Sequence, residues 1–433
     1  MITAPAYQGK TIGVFGLART GIAAVEALVA SGATVWAWDD SAERVAGVGA
    51  VAVDLYAADF AGLDALMIAP GVPLTHPVPH ALVEKAKAAN VPIIGDMDIF
   101  EAARAVLPRH KVVAITGTNG KSTTSALVAH ILLFAGRSVA LGGNIGTGVL
   151  SLEALADGGT YIFEVSSYQI DLMHSFSPDI AVLLNISPDH LDRHGSMAGY
   201  VRAKARLFDL LDSRALAVIN PADRYCADIT RRVKCPLAPI PNMADIVDMK
   251  SCPTLMGDHN RENAAVAYAI CHALGLKDDE IIKGLQSFPG LAHRQEHVAT
   301  SAGVLYVNDS KATNVEAAVK ALASFNNIHW IAGGRSKEKG LDDLMPYLAR
   351  VKAAYLIGEA ANDFEASLTG FVPVHNVGTL RKAIITAAAN AVEGDVVLLS
   401  PACAAFDQFE NFEVRGSAFA SDVMVLADGG DTV

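Results

Sequence analysis

The stretch KVVAITGTNGKSTTSALVAHILLFAG, residues 111–136, determines how the middle of this chain folds. An apolar run typical of a buried strand leads into a glycine-rich loop, and a run with helical periodicity follows. Glycine lets backbone N–H groups approach phosphate oxygens closely, and a helix N-terminus favours negative charge. This order therefore predicts a phosphate-binding loop, made of Gly117, Thr118, Asn119, Gly120, Lys121, Ser122 and Thr123.

The loop also indicates which ligands it serves. Lys121 is expected to neutralise the β- and γ-phosphates of a nucleotide, and the Ser122 hydroxyl is expected to bind Mg²⁺. The full phosphate-loop pattern has glycine where Ile115 stands. The loop therefore departs from the full pattern, which argues against a relationship to motor proteins and GTPases.

A second glycine turn lies near the start of the chain. Residues 16–21, GLARTG, follow the apolar run TIGVF and precede a helical pattern, and Asp39 comes about twenty residues later. This arrangement resembles a dinucleotide-binding turn, although Ala18 replaces the middle glycine. The turn therefore predicts a UDP diphosphate site, a nicotinamide site or a purely structural βαβ connection.

Strand and helix patterns alternate along the whole chain, which predicts an α/β fold. We expect three domains: residues 1–97 with a Rossmann-like βαβ pattern, residues 98–293 around the phosphate loop, and residues 294–433 with a second open parallel sheet. Four strand-like runs are visible in the last segment: VLYVNDS, NIHWIAGG, AAYLIG and DVVLLSPA.

Composition excludes several classes of function. Of the 433 residues, 52% are hydrophobic and 18% are charged, which excludes global disorder. The formal net charge of −12 argues against non-specific binding to nucleic acid or to an anionic membrane. The five cysteines form no C-x-x-C pair, the start lacks a signal-peptide pattern, and no apolar run is long enough to span a membrane. We therefore expect a cytoplasmic protein without membrane insertion.

Several segments, taken in order from the GLARTG turn to the RGSAF segment, resemble the Mur ligases of peptidoglycan synthesis. DSKATN and SPACAAFDQFENF are similar to the D-glutamate-adding branch of that family. The resemblance implies a UDP-binding Rossmann-like domain, a central P-loop ATPase and a C-terminal Rossmann-like domain. It also implies ATP and Mg²⁺ as cofactors, and UDP-N-acetylmuramoyl-L-alanine and D-glutamate as substrates. Separately from the resemblance, we expect a monomer. The segments are GTNGKST, GGNIG, EVSSYQ, NISPDHLDRH, YVRAKARLF, HNRENAAVA, HRQE, NDSKATN, AGGRSK and SPACAAFDQFENFEVRG.

The resemblance assigns catalytic and metal-binding roles to four residues. Lys121 is the phosphate-loop lysine, and Glu164 binds Mg²⁺ together with Ser122. His190 serves a second metal site, although a lone histidine is more often structural. Lys204, which composition alone describes as a solvated helix lysine, is carbamylated by CO₂ and then acts as a metal ligand. Asn260, Asn263, Arg294 and Asp309 are implied to contact ATP, with Asp309 on the ribose.

The resemblance also implies two substrate pockets. Lys337 is expected to pair with the side-chain carboxylate of glutamate, and Ala405 stands where well-known members have a serine that binds the same group. Losing that serine makes D-glutamate specificity less secure than the ligase activity. The UDP-substrate contacts are Gly16, Arg19, Thr20, Asp39, Asp40, Asn144 and Ser166; the amino-acid contacts are Thr313, Lys337, Ala405 and Phe412.

Three other functions compete with this interpretation. A sibling ligase or a folylpolyglutamate synthetase shares the loop and adds another amino acid. A nicotinamide oxidoreductase would use the first βαβ unit, and a non-catalytic nucleotide-binding protein would hydrolyse no ATP.

Overall fold

The computed structural model describes residues 1–255, 257–336 and 340–428. Within them the chain forms two compact units. The first comprises Met1–Cys252 and Asp258–Phe288, and the second is formed mainly by the chain from Pro289 onward. The predicted α/β class is confirmed, since three separate sheets are flanked by helices and nearly all strand pairs are parallel. The predicted boundaries at residues 97 and 293 stay predictions.

The N-terminal sheet has four parallel strands in the order β2-β1-β3-β4. The strands are β1 (Thr11–Phe15), β2 (Thr34–Trp38), β3 (Ala65–Ile68) and β4 (Ile93–Ile94), and the helices are α1 (Arg19–Ala30), α2 (Ala42–Gly47), α3 (Ala81–Ala88) and α4 (Asp96–Arg104). In the turn between β1 and α1, a Cβ atom at Gly21 would lie 1.9 Å from the Gly16 carbonyl oxygen. Glycine is therefore required there by the close approach of two backbone segments.

The central sheet is also entirely parallel, in the order β6-β7-β5-β8-β9. Its strands are β5 (His110–Thr116), β6 (Val139–Gly143), β7 (Gly159–Glu164), β8 (Ile180–Leu183) and β9 (Leu216–Ile219). Its helices are α5 (Lys121–Phe134), α6 (Ser167–Leu172), α7 (Leu191–His194), α8 (Met197–Asp209), α9 (Arg224–Thr230), α10 (Asp258–Ala273) and α11 (Asp278–Gln286). Strand β5 is buried over its last five residues, as its apolar run predicts.

One continuous hydrophobic core joins the first two sheets. It includes Ile12 and Val14 of β1, Phe100 of α4, and Val112 and Ala114 of β5. Phe100 packs edge-on against two aromatic rings of β7 at centroid distances of 5.2 and 4.8 Å. Helix α4 therefore fastens the N-terminal sheet to the central sheet, and the carboxyl ends of β1 and β5 belong to one unit.

The second unit contains a six-stranded sheet in the order β10-β11-β15-β12-β13-β14, in which only the pairing of β10 with β11 is antiparallel. Its strands are β10 (Glu296–Ser301), β11 (Val304–Asn308), β12 (Ile328–Gly333), β13 (Val351–Ile357), β14 (Val374–Gly378) and β15 (Val396–Leu399). Its helices are α12 (Val315–Ser324), α13 (Ala361–Leu368), α14 (Leu380–Asn390) and α15 (Phe412–Ala427), with a 3₁₀ helix at Asp342–Arg350. Within the described residues, each helix is too short or too polar to cross a membrane.

Candidate active site

The predicted phosphate-binding loop connects β5 to α5, which begins at Lys121. The Lys121 ammonium donates to the carbonyl oxygens of Gly117 and Thr118 at 2.9 and 2.8 Å. Gly120 has a φ of +82°, and a Cβ atom there would lie 2.3 Å from the Asn263 side-chain oxygen. The loop therefore requires glycine both for its left-handed backbone and for contact with α10.

Residues beyond the sequence motif hold the loop in shape. Asn185, two residues after β8, accepts from the amide of Asn119 and donates to its carbonyl oxygen. The Thr118 hydroxyl lies 3.1 Å from the Tyr200 hydroxyl of α8. Sequence analysis missed Asn185 as a functional residue, although polar residues at the carboxyl ends of parallel strands commonly line ligand sites.

Asn260 and Asn263, predicted to contact ATP, lie on α10 beside the loop. The Asn263 amide nitrogen is 3.4 Å from the Asn260 side-chain oxygen, and Thr124 of α5 donates to Asn263 at 3.3 Å. Asn263 is buried, so its amide is held at the loop by fixed contacts. The structure thus places both asparagines near the phosphate loop, and their contact with a nucleotide stays a prediction.

Glu164 ends β7 and is 2% exposed, which contradicts the alternative that it is an ordinary surface residue. One carboxylate oxygen accepts from the Asn144 amide at 2.9 Å, and the other, Oε2, is buried with no hydrogen-bond partner among the described residues. A buried carboxylate oxygen without a donor is strongly disfavoured unless a cation or ligand group meets it.

These residues fit Mg²⁺. The ion prefers oxygen ligands and is commonly held by one or two carboxylates together with water and substrate phosphates. Among the residues that the structure describes, no group of three His, Cys, Asp or Glu side chains is placed to hold a metal ion by itself. A site made of Glu164, the Ser122 hydroxyl and nucleotide phosphates agrees with both observations.

Lys204 on α8 is 1% exposed, so the composition-based expectation of a solvated lysine is wrong. Its ammonium donates to the Gly117 carbonyl oxygen at 2.8 Å and lies 4.8 Å from the centre of the Tyr200 ring. Burial, followed by the nearby ammonium of Lys121, holds the pKa of Lys204 well below its usual range. The fold therefore brings a lysine that loses its proton readily to the base of the phosphate loop.

The two histidines of the NISPDHLDRH segment have different surroundings. His190 has a φ of +53°, and its ring centre lies 4.9 Å from that of Tyr168, with the two rings tilted by 53°. Burial lowers the pKa of His190; Asp189 opposes this shift, and Lys121 and Lys204 add to it. His194 is buried, lies 2.9 Å from the Ser167 hydroxyl, and has its pKa lowered to about 4, mainly by burial. His190 therefore lines the site, whereas His194 fastens α7 to α6.

The residues predicted to contact the UDP substrate converge on one cavity of about 860 Å³. Lys121, His190 and Lys204 line the same cavity, so the N-terminal glycine turn and the phosphate loop open into one space. Sequence analysis gave no sign that Arg44, Tyr168 and Tyr200 would also line it. The predicted UDP contacts on its wall are Gly16, Arg19, Thr20, Asp39, Asp40, Asn144 and Ser166.

Some of these side chains also hold the walls together. Asp39 accepts from the amides of Leu17 and Ser41 at 2.6 and 2.8 Å. Burial alone would raise the pKa of Asp39, but these bonds and Arg44 outweigh it and lower the pKa. Arg19 donates to the Gly146 carbonyl oxygen at 2.6 Å, and so links α1 to the loop after β6.

Asp40 belongs to a polar cluster that sequence analysis missed. It accepts from the Tyr56 hydroxyl at 2.8 Å, and that hydroxyl lies 3.3 Å from His80. Burial, followed by the bond to Asp40, raises the pKa of Tyr56 to about 12. The His80 ring in turn lies 4.7 Å from Phe15, so an aromatic wall supports this end of the cavity.

Arg193 joins two walls of the cavity. Its guanidinium donates to the carbonyl oxygens of Gly71 at 2.5 Å, Val72 at 3.0 Å and Pro70 at 3.4 Å. It also lies 4.5 Å from the centre of the Tyr168 ring. Arg193 therefore holds the Pro70–Val72 turn after β3 at a fixed distance from α7, which begins immediately after His190. We call this set of contacts the Arg193 clamp.

The remaining predicted residues lie in the second unit. Asp309 is buried, accepts from the Ser400 hydroxyl at 2.8 Å and from the Gln295 amide at 3.2 Å, and has its pKa raised by burial to about 7. Arg294 lowers that pKa. Because both carboxylate oxygens already accept hydrogen bonds, a ribose would have to share or replace them. The predicted contact of these two residues with a nucleotide stays untested.

Of the predicted amino-acid contacts, Phe412 begins α15 and lies under the Lys311 ammonium, 3.7 Å from the ring centre. Ala405 is 2% exposed, and Thr313 is partly buried just before α12. Lys337 lies outside the described residues. The structure therefore places three of the four predicted contacts in this unit and tests none of them.

Sequence analysis also missed Arg415, which is 1% exposed. It donates to the carbonyl oxygens of Ser310 and Cys403 at 2.9 and 3.0 Å. It thereby ties together the DSKATN and SPACAAF segments, which carry Thr313 and Ala405.

A phosphate-binding loop and a second glycine turn open into one cavity, and a buried carboxylate ends the strand beside β5. These features define an α/β nucleotide-using enzyme of the P-loop class. Residues 115–240 match the family model of the Mur ligase middle domain, and residues 293–403 match that of the Mur ligase glutamate ligase domain. The chain belongs to the Mur ligase family, whose members are ATP-dependent amide-bond ligases.

Curated relatives match over nearly the full length. The UDP-N-acetylmuramoylalanine–D-glutamate ligase of Caulobacter vibrioides strain NA1000 is 46% identical over 468 aligned residues, covering 99% of each chain. The protein of the same name from Sphingopyxis alaskensis is 47% identical, covering 98% of this chain and all of the relative. The sequence-based resemblance to the family is thereby confirmed.

Solved structures agree on the fold. The MurF ligase from Thermotoga maritima in complex with ADP superposes with a TM-score of 0.59 at 16% identity, covering 99% of this chain and 98% of that one. The UDP-N-acetylmuramate–alanine ligase from the same organism gives a TM-score of 0.58 at 16% identity, covering 96% and 100%. At such low identity, the two structures support the three-domain fold alone.

Proposed function

We propose that this chain adds D-glutamate to UDP-N-acetylmuramoyl-L-alanine with conversion of ATP to ADP and phosphate, in peptidoglycan synthesis. The observation that carries the proposal is the cavity of about 860 Å³ lined both by Lys121 and by the Gly16–Thr20 turn. A nucleotide phosphate at Lys121 and a substrate diphosphate at the N-terminal turn would occupy one space. Relatives at 46–47% identity that are named UDP-N-acetylmuramoylalanine–D-glutamate ligase support the same activity.

The proposed reaction has two steps. A substrate carboxylate oxygen attacks the γ-phosphorus of ATP, forming an O–P bond while the bond to ADP breaks. The amine of D-glutamate then attacks the acyl carbon, a C–N bond forms, and phosphate leaves as the nitrogen loses a proton. Both steps depend on positioning and on neutralising negative charge, because the phosphoryl group passes between two anions.

Residues of this chain supply these two effects. Lys121 and the loop amides hold the transferring phosphoryl group, and Glu164 with Ser122 would hold Mg²⁺. The ion supplies charge neutralisation on the nucleotide phosphates when it is bound. The ring of His190, which lies 4.9 Å from that of Tyr168, lines the same cavity.

We also propose that Lys204 is carbamylated by CO₂. Carbamate formation requires a neutral amine, and the burial of this side chain beside Lys121 favours that form. The modification would place an anion that suits a metal site under the phosphate loop. Protein equilibrated with ¹³C-bicarbonate should give a carbamate carbon resonance that is absent from Lys204→Arg. Identical spectra for the two proteins would refute this modification.

The activity is tested by measuring phosphate release with Mg-ATP and UDP-N-acetylmuramoyl-L-alanine while the amino acid is varied. D-Glutamate should support turnover, whereas L-glutamate, D-aspartate and meso-diaminopimelate should not. The comparison is needed because Ala405 stands where well-known members of the family have a serine. The hydroxyl of that serine binds the side-chain carboxylate of glutamate, and alanine lacks it. Turnover with another amino acid and none with D-glutamate would assign the chain to a sibling activity.

We further propose that the protein works in the cytoplasm as a monomer. The negative net charge and the reduced, buried cysteines are consistent with that compartment. Sedimentation equilibrium at micromolar concentration should give the mass of one chain, 45.3 kDa. A mass of twice that value would contradict the monomer.

A further inference from the structure

A second cavity, of about 1010 Å³, lies in the first unit beside α8. Its walls are the Thr75–His76 turn, the outward face of α8 and the segment that follows α9. Tyr200 and Lys204 line the active-site cavity, whereas Arg202 and Arg206 line this one. The two cavities therefore share a helix but use different residues of it. We call the second one the α8 cavity.

The α8 cavity is rich in positive charge. Arg202 and Arg206 are one helical turn apart on α8, where like charges repel each other. Arg232 and Lys234 add two more cations from the segment after α9. Two carboxylates, Asp171 and Asp209, also line the cavity, so its formal charge is +2 with histidines neutral, whereas the whole chain has −12.

Three of these four cations have no side-chain partner among the described residues. Across the described part of the chain, the side chains of Arg202, Arg232 and Lys234 take part in no ion pair or hydrogen bond. Arg206 donates to the Met173 carbonyl oxygen at 2.6 Å, but its Nε is buried with no hydrogen-bond partner among the described residues. The carboxylate of Asp171 lies 3.5 Å from His194; burial raises its pKa, and Arg206 and Arg193 act on it only from a longer distance, by lowering that pKa. An anion would relieve the repulsion within this set.

The remaining lining is apolar. It consists mainly of Phe208 and Leu211 from the α8 segment and Ile229 and Val233 from the α9 segment. Apolar surface next to fixed cations suits a ligand with an aromatic or aliphatic body and an anionic head group. A bare inorganic ion would leave this apolar surface in contact with water.

We propose that the α8 cavity is a binding site for an organic anion, in which a phosphate group is joined to an aromatic body. The arginines hold the phosphate, since guanidinium groups pair well with phosphate oxygens, and the Phe208 side packs against the ring. This proposal does not depend on the proposed ligase activity, because it uses other residues.

The test uses the full-length protein and isothermal titration with 1-naphthyl phosphate as the probe. One saturable site is expected, and inorganic phosphate and 1-naphthol should each bind at least tenfold more weakly. The double variant R202E/R232E should weaken binding of the probe at least tenfold. R202Q/R232Q removes the two charges without reversing them, and it should also weaken binding of the probe. This milder variant keeps the test valid if R202E/R232E does not fold.

Two controls separate this site from others. R231E carries a charge reversal next to Arg232, but Arg231 pairs with Asp228 outside the cavity lining, so affinity should change less than twofold. K121A disables the phosphate loop and should also leave the probe's affinity within twofold. The proposal is overturned if wild-type protein shows no saturable binding or if both arginine variants bind normally. It is equally overturned if K121A abolishes binding, or if inorganic phosphate binds as tightly as the probe.

Discussion

Replacing Arg193 by alanine removes the clamp between the Pro70–Val72 turn and α7. The guanidinium makes two good hydrogen bonds, at 2.5 and 3.0 Å, and a longer one at 3.4 Å. Bonds from a charged donor are worth roughly 1.5–3 kcal/mol each when buried. Arg193 is only partly buried and water can replace part of this contact, so we expect a net loss of about 2 kcal/mol.

If the whole of this loss is expressed in binding of the UDP substrate, kcat/KM for that substrate falls by up to roughly 30-fold. The assay is phosphate release at saturating Mg-ATP and D-glutamate with UDP-N-acetylmuramoyl-L-alanine varied. The KM for ATP should stay within twofold of wild type, because the clamp does not touch the phosphate loop.

Two further variants sharpen the result. Arg193→Lys keeps the charge but lacks the planar fork that reaches several carbonyl oxygens, and should fall between alanine and wild type. Arg231→Ala, which removes a surface arginine paired with Asp228, should behave as wild type. If Arg193→Ala had normal kcat and a normal KM for the UDP substrate, the clamp would play no part in shaping the cavity.

Four further outcomes are expected. Gly120→Ala should lower ATP-dependent turnover at least tenfold, because the new Cβ would clash with Asn263 and because alanine is strained at the Gly120 φ of +82°. Normal kinetics would contradict the need for glycine. Glu164→Gln should abolish Mg²⁺-dependent turnover, and EDTA should abolish the turnover of the wild-type protein. If Glu164→Gln were as active as wild type at the same Mg²⁺ concentration, Glu164 would have no role in binding the metal. Ala405→Ser should lower the KM for D-glutamate severalfold by adding a hydrogen bond to a charged group; an unchanged KM would place residue 405 outside the pocket. Burial raises the pKa of Asp96 from 3.8 to about 6, so the folded state binds this proton more tightly than the unfolded state does. The free energy of unfolding should therefore fall by up to about 3 kcal/mol as pH rises from 4 through 6. Urea unfolding of Asp96→Asn should lack this decrease, and parallel pH profiles of the free energy of unfolding for the two proteins would refute the assignment.

The elements of this fold could be predicted where local pattern decides the structure. The runs TIGVF, TVWAW and KVVAIT became β1, β2 and part of β5, and YVRAKARLF lies within α8. Strands β10 and β14 were missed because they lie at the two edges of their sheet. Edge strands are partly exposed, so their sequences, EHVATS and VHNVG, lack the apolar runs that mark buried strands.

The phosphate-loop motif of the candidate site could be predicted from the sequence, but the residues that hold the loop and the cavity walls in place could not. Glycine spacing and a strand before a helix were enough to place the phosphate loop. Asn185, Tyr56 and Arg193 escaped notice because single polar residues give no periodic signal. Each of them acts on residues far along the chain, which local pattern cannot reveal.

The sequence by itself determined the phosphate loop, the βαβ turns and the α/β class, because these depend on neighbouring residues and on backbone freedom at glycine. Only the tertiary structure decided that Lys204 is buried and that Arg193 reaches a turn 122 positions away. Burial and long-range hydrogen bonds arise when separate elements pack together, and they set the charge state and spacing of the groups in the cavity. The same lysine on a solvated helix would be an ordinary surface cation.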